Sequence, residues 1–324
     1  MKRTKQLFWC IFLIVMVAVG VAVVMNRDWI LDWWKGLSYE PSAEMAGIRD
    51  SLALTDRGEF LFKASAPKLS EREEFNANCR EVLDEEMSVL GCYTDGDIYV
   101  YNIVAEELSG IRELTTAHEL LHAVWARMSE GEREELRTEL EKVLAANRER
   151  LGEELDTYDA SQRQEELYVR AGTEVKQLPE RLERHYAEVF SDQDLVVSFY
   201  DKYIGVFLEI EAEMDKMKAE MDGIAARIEG LSQEYENGIA TLNGEIETFN
   251  ACAERAGCFN DELEFYARRA ELVARQEELG GIYEEINGLV NGYNELVEKY
   301  NADVTRTEKL NRVMNSSSRP EEVD

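Results

Sequence analysis

Two histidines lie four residues apart around a glutamate, in the sequence His118-Glu119-Leu120-Leu121-His122. On a helix, residues at i and i+4 share one face, so both imidazoles can bind one Zn²⁺ at about 2.0–2.1 Å. The glutamate is adjacent to both, where its carboxylate can take a proton from a zinc-activated water molecule. The chain has only three histidines, and this spacing predicts a zinc site with Glu119 as the catalytic base.

A catalytic zinc site needs a third protein ligand and an open fourth position for water. The only other histidine is His185. The third ligand is therefore expected to be a carboxylate on a later helix, and the best candidate segment is residues 165–174. Its acidic residues are Glu165, Glu166 and Glu174.

This arrangement resembles the gluzincin class of zinc metallopeptidases. The resemblance rests on residues 116–123, Thr-Ala-His-Glu-Leu-Leu-His-Ala, and on a helix some 40 residues later that carries a glutamate. In that class the third ligand follows an Asn and precedes small or apolar residues and a Gly, which implies Glu166. Because Glu165 stands where the class often has Asn, Glu165 and Glu174 stay open as alternatives. The resemblance covers roughly residues 88–190.

The resemblance also implies roles for residues around the metal. Gluzincin-like sites often stabilise the oxyanion with a His or Tyr that follows the third ligand, which implies His185 or Tyr186. The alternative is a histidine on a helix face beside a tyrosine of the core. Such sites also bind the substrate backbone along a strand near the active-site helix, and residues 97–103 are the candidate here.

The N-terminal region predicts a membrane anchor. Residues 7–25 carry no charge, and as a helix they would span about 28 Å, close to the hydrocarbon core of about 30 Å. Basic residues precede this run and tryptophans follow it, which places the N-terminus in the cytoplasm and the rest of the chain outside. The alternative is a cleaved signal peptide.

Composition and cysteines agree with an exported protein. The chain carries 67 acidic and 36 basic residues, a net charge of −31, which excludes general nucleic-acid binding because phosphate binding depends on Lys and Arg. Cys79 with Cys92 and Cys252 with Cys258 are expected to form two local disulfides. The alternative is four unpaired buried thiols.

The remaining pattern predicts a mainly α, α+β architecture. We expect a basic tip and transmembrane anchor at 1–26, a juxtamembrane linker at 27–56 and a metallopeptidase-like domain at 57–190. Within that domain, residues 59–64 are expected as a strand, and Asp95-Gly96 as the turn of a β-hairpin. Apolar residues at heptad spacing then predict an antiparallel coiled-coil hairpin at 191–315, or else a parallel homodimer of long helices, followed by a disordered tail at 316–324.

Together these features predict a single-pass membrane-anchored, extracytoplasmic zinc metallopeptidase. Its partners would be a peptide or protein substrate, the membrane and a protein bound to the coiled-coil hairpin. The alternative function is a cell-surface adhesion or scaffold protein with a structural or vestigial metal site. A third option, a hydrolase acting on cell-wall peptides, shares the zinc chemistry and differs only in substrate.

Overall fold

The computed structural model describes residues 27–80, 90–156 and 158–316, together with Met16, Gly20 and Val21. The protein is mainly helical, with one small three-stranded sheet and two long helices that pack together. It divides into two compact units. The first comprises Met1–Val206 with Leu310–Asp324, and the second comprises Phe207–Lys309.

The first unit begins with short helices around a small sheet. The elements up to the end of the sheet are α1 (Arg27–Ser38), α2 (Ala43–Ser51), α3 (Asp56–Ala64), β1 (Lys68–Ser70), α4 (Arg72–Asn78), β2 (Gly91–Thr94) and β3 (Asp97–Tyr101). A series of helices follows, and these are α5 (Ile111–Arg127), α6 (Glu130–Ala146), α7 (Arg148–Leu155), α8 (Ala160–Glu174) and α9 (Glu180–Tyr186). The two long helices are α10 (Gln193–Ala253) and α11 (Glu262–Met314).

The sheet has the strand order β1-β3-β2, with β3 parallel to β1 and antiparallel to β2. Asp95 and Gly96 make the β2–β3 turn with φ values of +52° and +80°, as a two-residue hairpin turn requires. The predicted hairpin is therefore confirmed. The Cys79–Cys92 disulfide, also as predicted, joins the end of α4 to β2.

Helices α5 and α8 form the centre of the core. Leu120 and Leu121 of α5 and Tyr168 of α8 are fully buried, and the rings of Trp125 and Tyr168 lie 5.0 Å apart. Gly172 of α8 allows the close approach, because a Cβ there would meet Leu121 Cδ1 at 2.5 Å and Tyr186 Cε1 at 2.7 Å. This packing fixes the register of α8 along α5.

Residues 59–64 belong to α3, so the predicted strand is wrong. Thr55 caps the helix by accepting a hydrogen bond from the Gly58 amide, and Leu61 and Phe62 pack into the core. Residues 27–56 are expected as a juxtamembrane linker with one short helix near 43–52, and that helix is confirmed as α2, in which Met45 is fully buried. Residues 27–38 form a further helix, α1.

Helices α10 and α11 form a helical hairpin. Arg227 contacts Glu285 at 2.8 Å, and farther along α10 the ring of Phe249 lies 5.2 Å from that of Phe265. Residue numbers therefore rise along one helix as they fall along the other, which makes the pair antiparallel. The predicted Cys252–Cys258 disulfide is present where the chain turns between them.

The ends of the chain are described only in part. The predicted anchor, residues 7–25, lies outside the described residues apart from Met16, Gly20 and Val21. Among the residues that the structure does describe, no helix is long and apolar enough to span a bilayer. At the other end Ser316 is buried and its carbonyl accepts a hydrogen bond from Asn76 at 2.8 Å, while residues 317–324 lie outside the described part.

Replacing Gly172 with Ala should destabilise the first unit by about 1–3 kcal/mol, because the added methyl group overfills the contact between α5 and α8. Urea unfolding followed by tryptophan fluorescence measures this, since all five tryptophans precede residue 126. Gly131→Ala on α6 is the matched control, because a Cβ there meets nothing within 4 Å. An unchanged midpoint for Gly172→Ala would contradict the close approach of the two helices.

Candidate metal centre

His118, His122 and Glu166 come together as one cluster that can bind a metal ion, with all ligand atoms within 4.8 Å of one another. The two histidine Nε2 atoms are 3.3 Å apart. Glu166 Oε1 lies 3.6 Å from His118 Nε2, and Glu166 Oε2 lies 3.5 Å from His122 Nε2. The histidines stand one turn apart on α5, and α8 brings the carboxylate to them.

The distance between the two histidine Nε2 atoms can be compared with the donor spacing around a metal ion. Donor atoms at about 2.0–2.1 Å from a tetrahedral Zn²⁺ are about 3.3 Å apart. Donors on one face of an octahedral ion at a similar bond length are only about 3.0 Å apart. The two Nε2 atoms, 3.3 Å apart, have the tetrahedral separation, and the carboxylate of Glu166 faces each of them with a different oxygen, at 3.6 and 3.5 Å.

The other two glutamates of the predicted segment lie elsewhere. Glu165 accepts a hydrogen bond from His122 Nδ1 at 2.8 Å, so it orients the imidazole and keeps Nε2 available for a metal. Glu174 forms a buried ion pair with Arg170, whose Nε lies 2.8 Å from Glu174 Oε1. The metal-binding carboxylate in this geometry is thus Glu166.

Their surroundings shift the pKa values of the two histidines in opposite directions. Burial lowers the pKa of His118 to about 4, which keeps its imidazole neutral as a metal ligand must be. Burial acts in the same direction on His122, but the Glu165 and Glu166 carboxylates, which accept hydrogen bonds from its imidazole, raise its pKa well above the usual value. Burial would raise the pKa of Glu166, yet the two histidines hold it at about 2.

Glu119 lies against the edge of the sheet. It is 5% exposed, and its Oε1 and Cγ lie 2.6 and 2.7 Å from where a Cβ on Gly91 would stand. Only glycine at the start of β2 leaves room for this carboxylate. Gly91 thus fixes the distance between β2 and the helix that carries both histidines.

The cluster opens into a cavity of about 500 Å³. Helices α5 and α8, strand β2 and the first turns of α10 form its walls. Tyrosines contribute phenol rings to this lining, and they are Tyr93, Tyr158, Tyr200 and Tyr203. Burial raises the pKa of Tyr200 to about 12, so its hydroxyl is a neutral hydrogen-bond donor at neutral pH.

His185 and Tyr186, expected at the oxyanion, are not among the residues that line this cavity. Tyr186 is fully buried, and its hydroxyl donates to the Tyr168 carbonyl at 2.7 Å. His185 Nε2 is hydrogen-bonded to the Tyr168 hydroxyl at 3.0 Å. The structure therefore places both residues in the packing of α9 against α8.

The prediction that residues 97–103 bind the substrate backbone is wrong. Strand β3 lies in the middle of the sheet and pairs with β1 on one side and β2 on the other, so its main-chain groups are already used. Within the described residues β2 pairs only with β3, and Gly91 and its neighbours line the cavity. The edge strand beside the metal cluster is thus β2.

Several site residues could not be found by motif. Tyr200 and Tyr203 fall in the segment 191–315, which is expected as a coiled coil. Gly91 has no side chain that could mark it as a residue of the site. Arg170 could have been found, because it follows Glu166 by one helical turn and precedes Glu174 by another, a spacing at which charged side chains meet.

Comparison of the chain with models of known protein families, with curated proteins and with solved structures gives no match. The function must therefore be argued from the geometry and chemistry of the site itself.

The cluster predicts which substitutions remove a metal. The purified chain should hold about one zinc per molecule, and His118→Ala, His122→Ala and Glu166→Ala should each abolish it. Glu165→Ala should weaken zinc affinity by about 10–100-fold, because it removes the partner that orients His122. Elemental analysis and competition with a chelating dye measure both effects.

His185→Ala is the matched control, since it replaces the one histidine outside the cluster. It should leave the zinc content unchanged. Loss of zinc in His185→Ala, or full zinc content in Glu166→Ala, would contradict the ligand set.

Gly91→Ala should separate metal binding from activity. The methyl group would collide with Glu119 Oε1 and Thr115 Cγ2, both 2.6 Å away, and neither residue is one of the three ligands. We expect unchanged zinc content and a loss of hydrolytic turnover, measured on the same preparation. Turnover equal to that of the original chain would contradict the assignment of Glu119 as the base.

Proposed function

We propose that this chain is a membrane-anchored, extracytoplasmic zinc metallopeptidase of the gluzincin type. The observation that carries the proposal is the meeting of His118, His122 and Glu166 at one point on the wall of a cavity, with Glu119 beside them. Two imidazoles and one carboxylate are the ligands of many hydrolytic zinc sites.

The number of ligands favours a catalytic site over a structural one. Structural zinc sites have four protein ligands, whereas catalytic sites have three and leave one position for water or substrate. Among the described residues, the metal-binding group contains three members, and it faces the cavity. This argues against the alternative of an adhesion or scaffold protein whose metal site is structural.

The residues of the chain divide the work of peptide hydrolysis. A zinc ion at this site supplies Lewis acidity toward the attacking water and the scissile carbonyl. Glu119 takes the proton of the water and returns it to the departing amine. Glu165 holds the imidazole of His122 in the orientation that its role as a ligand requires. The hydroxyl of Tyr200, which lines the cavity and stays protonated at neutral pH, is proposed to donate to the developing oxyanion.

The substrate main chain is proposed to add to the edge of β2. An extended peptide that pairs with an edge strand gains main-chain hydrogen bonds without a sequence requirement. Strand β2 offers this edge next to Glu119, and the Cys79–Cys92 disulfide holds it to α4. Side chains of the peptide would then occupy the tyrosine-lined cavity.

Location outside the cytoplasm is proposed from two features. Both disulfides are typical of an oxidising compartment, and residues 7–25 have the length and composition of a membrane anchor. The helical hairpin of α10 and α11 is proposed as a coiled-coil arm that binds a protein partner.

Glu119→Gln tests the proposed activity. It should keep the zinc and lose about 10²–10⁴-fold of the turnover on a fluorescence-quenched, mixed-sequence peptide library, because the amide cannot accept the proton. Glu113→Gln, on the same helix, is the matched control and should cleave at the original rate. Equal cleavage by Glu119→Gln and the original chain, or no cleavage by the zinc-loaded chain, would contradict the proposed function.

A further inference from the structure

Helix α1 exposes several large apolar side chains, while two of its four ionic residues face the protein. Its ionic side chains Asp32 and Lys35 point toward the protein, and its large apolar side chains point outward. The exposed fractions are 56% for Leu31, 65% for Trp34 and 63% for Leu37. Monomeric soluble proteins rarely expose an apolar patch of this kind, and where they do it marks an interaction surface.

Ion pairs hold the inward-facing side of α1, on which Asp32 and Lys35 are only partly buried. Arg127, the last residue of α5, makes two bonds with Asp32, from Nε at 2.8 Å and Nη2 at 2.9 Å. Lys35 donates to the Gly96 carbonyl at 2.5 Å and forms an ion pair with Asp97. The helix is therefore tied to the helix that carries both histidines and to the turn of the β2–β3 hairpin.

The outward face has the chemistry of a membrane interface. Trp34 and Leu37 follow one another by about one turn, and Trp29 and Trp33 flank them, at 59% and 45% exposure. Tryptophan prefers the headgroup level of a bilayer because its ring is apolar and its N–H is polar. The helix carries two basic and two acidic residues, so insertion would depend on apolar area and not on attraction to anionic lipid.

The sequence before α1 identifies the occupant of this surface. Residues 7–25 carry no charge, and one residue separates them from Arg27, where α1 begins. A membrane-spanning segment that ends there would deliver α1 directly to the bilayer surface. No comparable feature of the described residues favours a soluble partner or a second copy of the chain at this surface.

We propose that α1 lies in the lipid interface and holds the catalytic unit against the bilayer through Asp32 and Lys35. This rests on the membrane location within the proposed function and does not depend on the hydrolytic activity. Because α1 is tied to α5 and to the hairpin, the metal cluster is held near the membrane. The substrate class that follows is a polypeptide segment next to a bilayer, as in the juxtamembrane part of another membrane protein.

Spin labelling of the full chain in phosphatidylcholine vesicles tests the proposal. Cys10→Ser removes the cysteine outside the two disulfides, and a nitroxide is attached at Trp34→Cys or Leu37→Cys. Ala145→Cys, on the exposed side of α6, is the control. The readout is the ratio of collision rates with oxygen, which concentrates in lipid, and with a water-soluble nickel complex.

The ratio should be several-fold higher at positions 34 and 37 than at position 145. Equal ratios at all three positions would overturn the proposal, as would failure of the chain to float with the vesicles. Spin–spin broadening at position 34 that disappears on dilution with unlabelled chain would assign the surface to a second copy and would also overturn it. None of these readouts needs hydrolysis, so failure of the peptidase activity is distinguishable from failure of the lipid contact.

Discussion

The fixed register between α5 and α8 is the constraint on which the site depends. One helix supplies two imidazoles and the other supplies a carboxylate, and their donor atoms must meet within 3.3–3.6 Å. A slip of one residue along either helix would turn its donors away by about 100°. Gly172 and the contact of Trp125 with Tyr168 prevent this slip, so the core packing and the metal cluster are specified by the same residues.

The surroundings of the cluster come from distant parts of the chain. Strand β2 approaches α5 as closely as Gly91 allows. Tyr200 and Tyr203 belong to the first turns of α10, which continues to Ala253. At the C-terminal end of α5, Arg127 forms an ion pair with Asp32 of α1. Helix α5 therefore carries both the histidines of the metal cluster and the arginine that ties it to α1.

Local signals in the sequence predict local structure well here. The i, i+4 spacing of His118 and His122 predicts their shared face, and Asp95-Gly96 predicts the hairpin, because both depend only on neighbouring residues. Glu166 needed the additional resemblance to a known class. The order of the strands could not be predicted in this way. Which strand lies at the edge depends on the pairing of β3 with β1, about 30 residues earlier in the chain. Residues 59–64 contain a short apolar run that fits a strand or a buried helix equally well, and the Thr55 cap and the burial of Leu61 and Phe62 favour the helix.

X-ray absorption at the zinc edge of the metal-loaded chain tests whether His118, His122 and Glu166 bind the ion. We expect a first shell of nitrogen and oxygen at about 2.0–2.2 Å with the multiple-scattering signature of two imidazoles and no sulfur. In the His118→Ala variant this signature should be missing. A shell that contains sulfur at about 2.3 Å, or six oxygens without imidazole, would contradict the assignment of His118, His122 and Glu166 as the metal ligands.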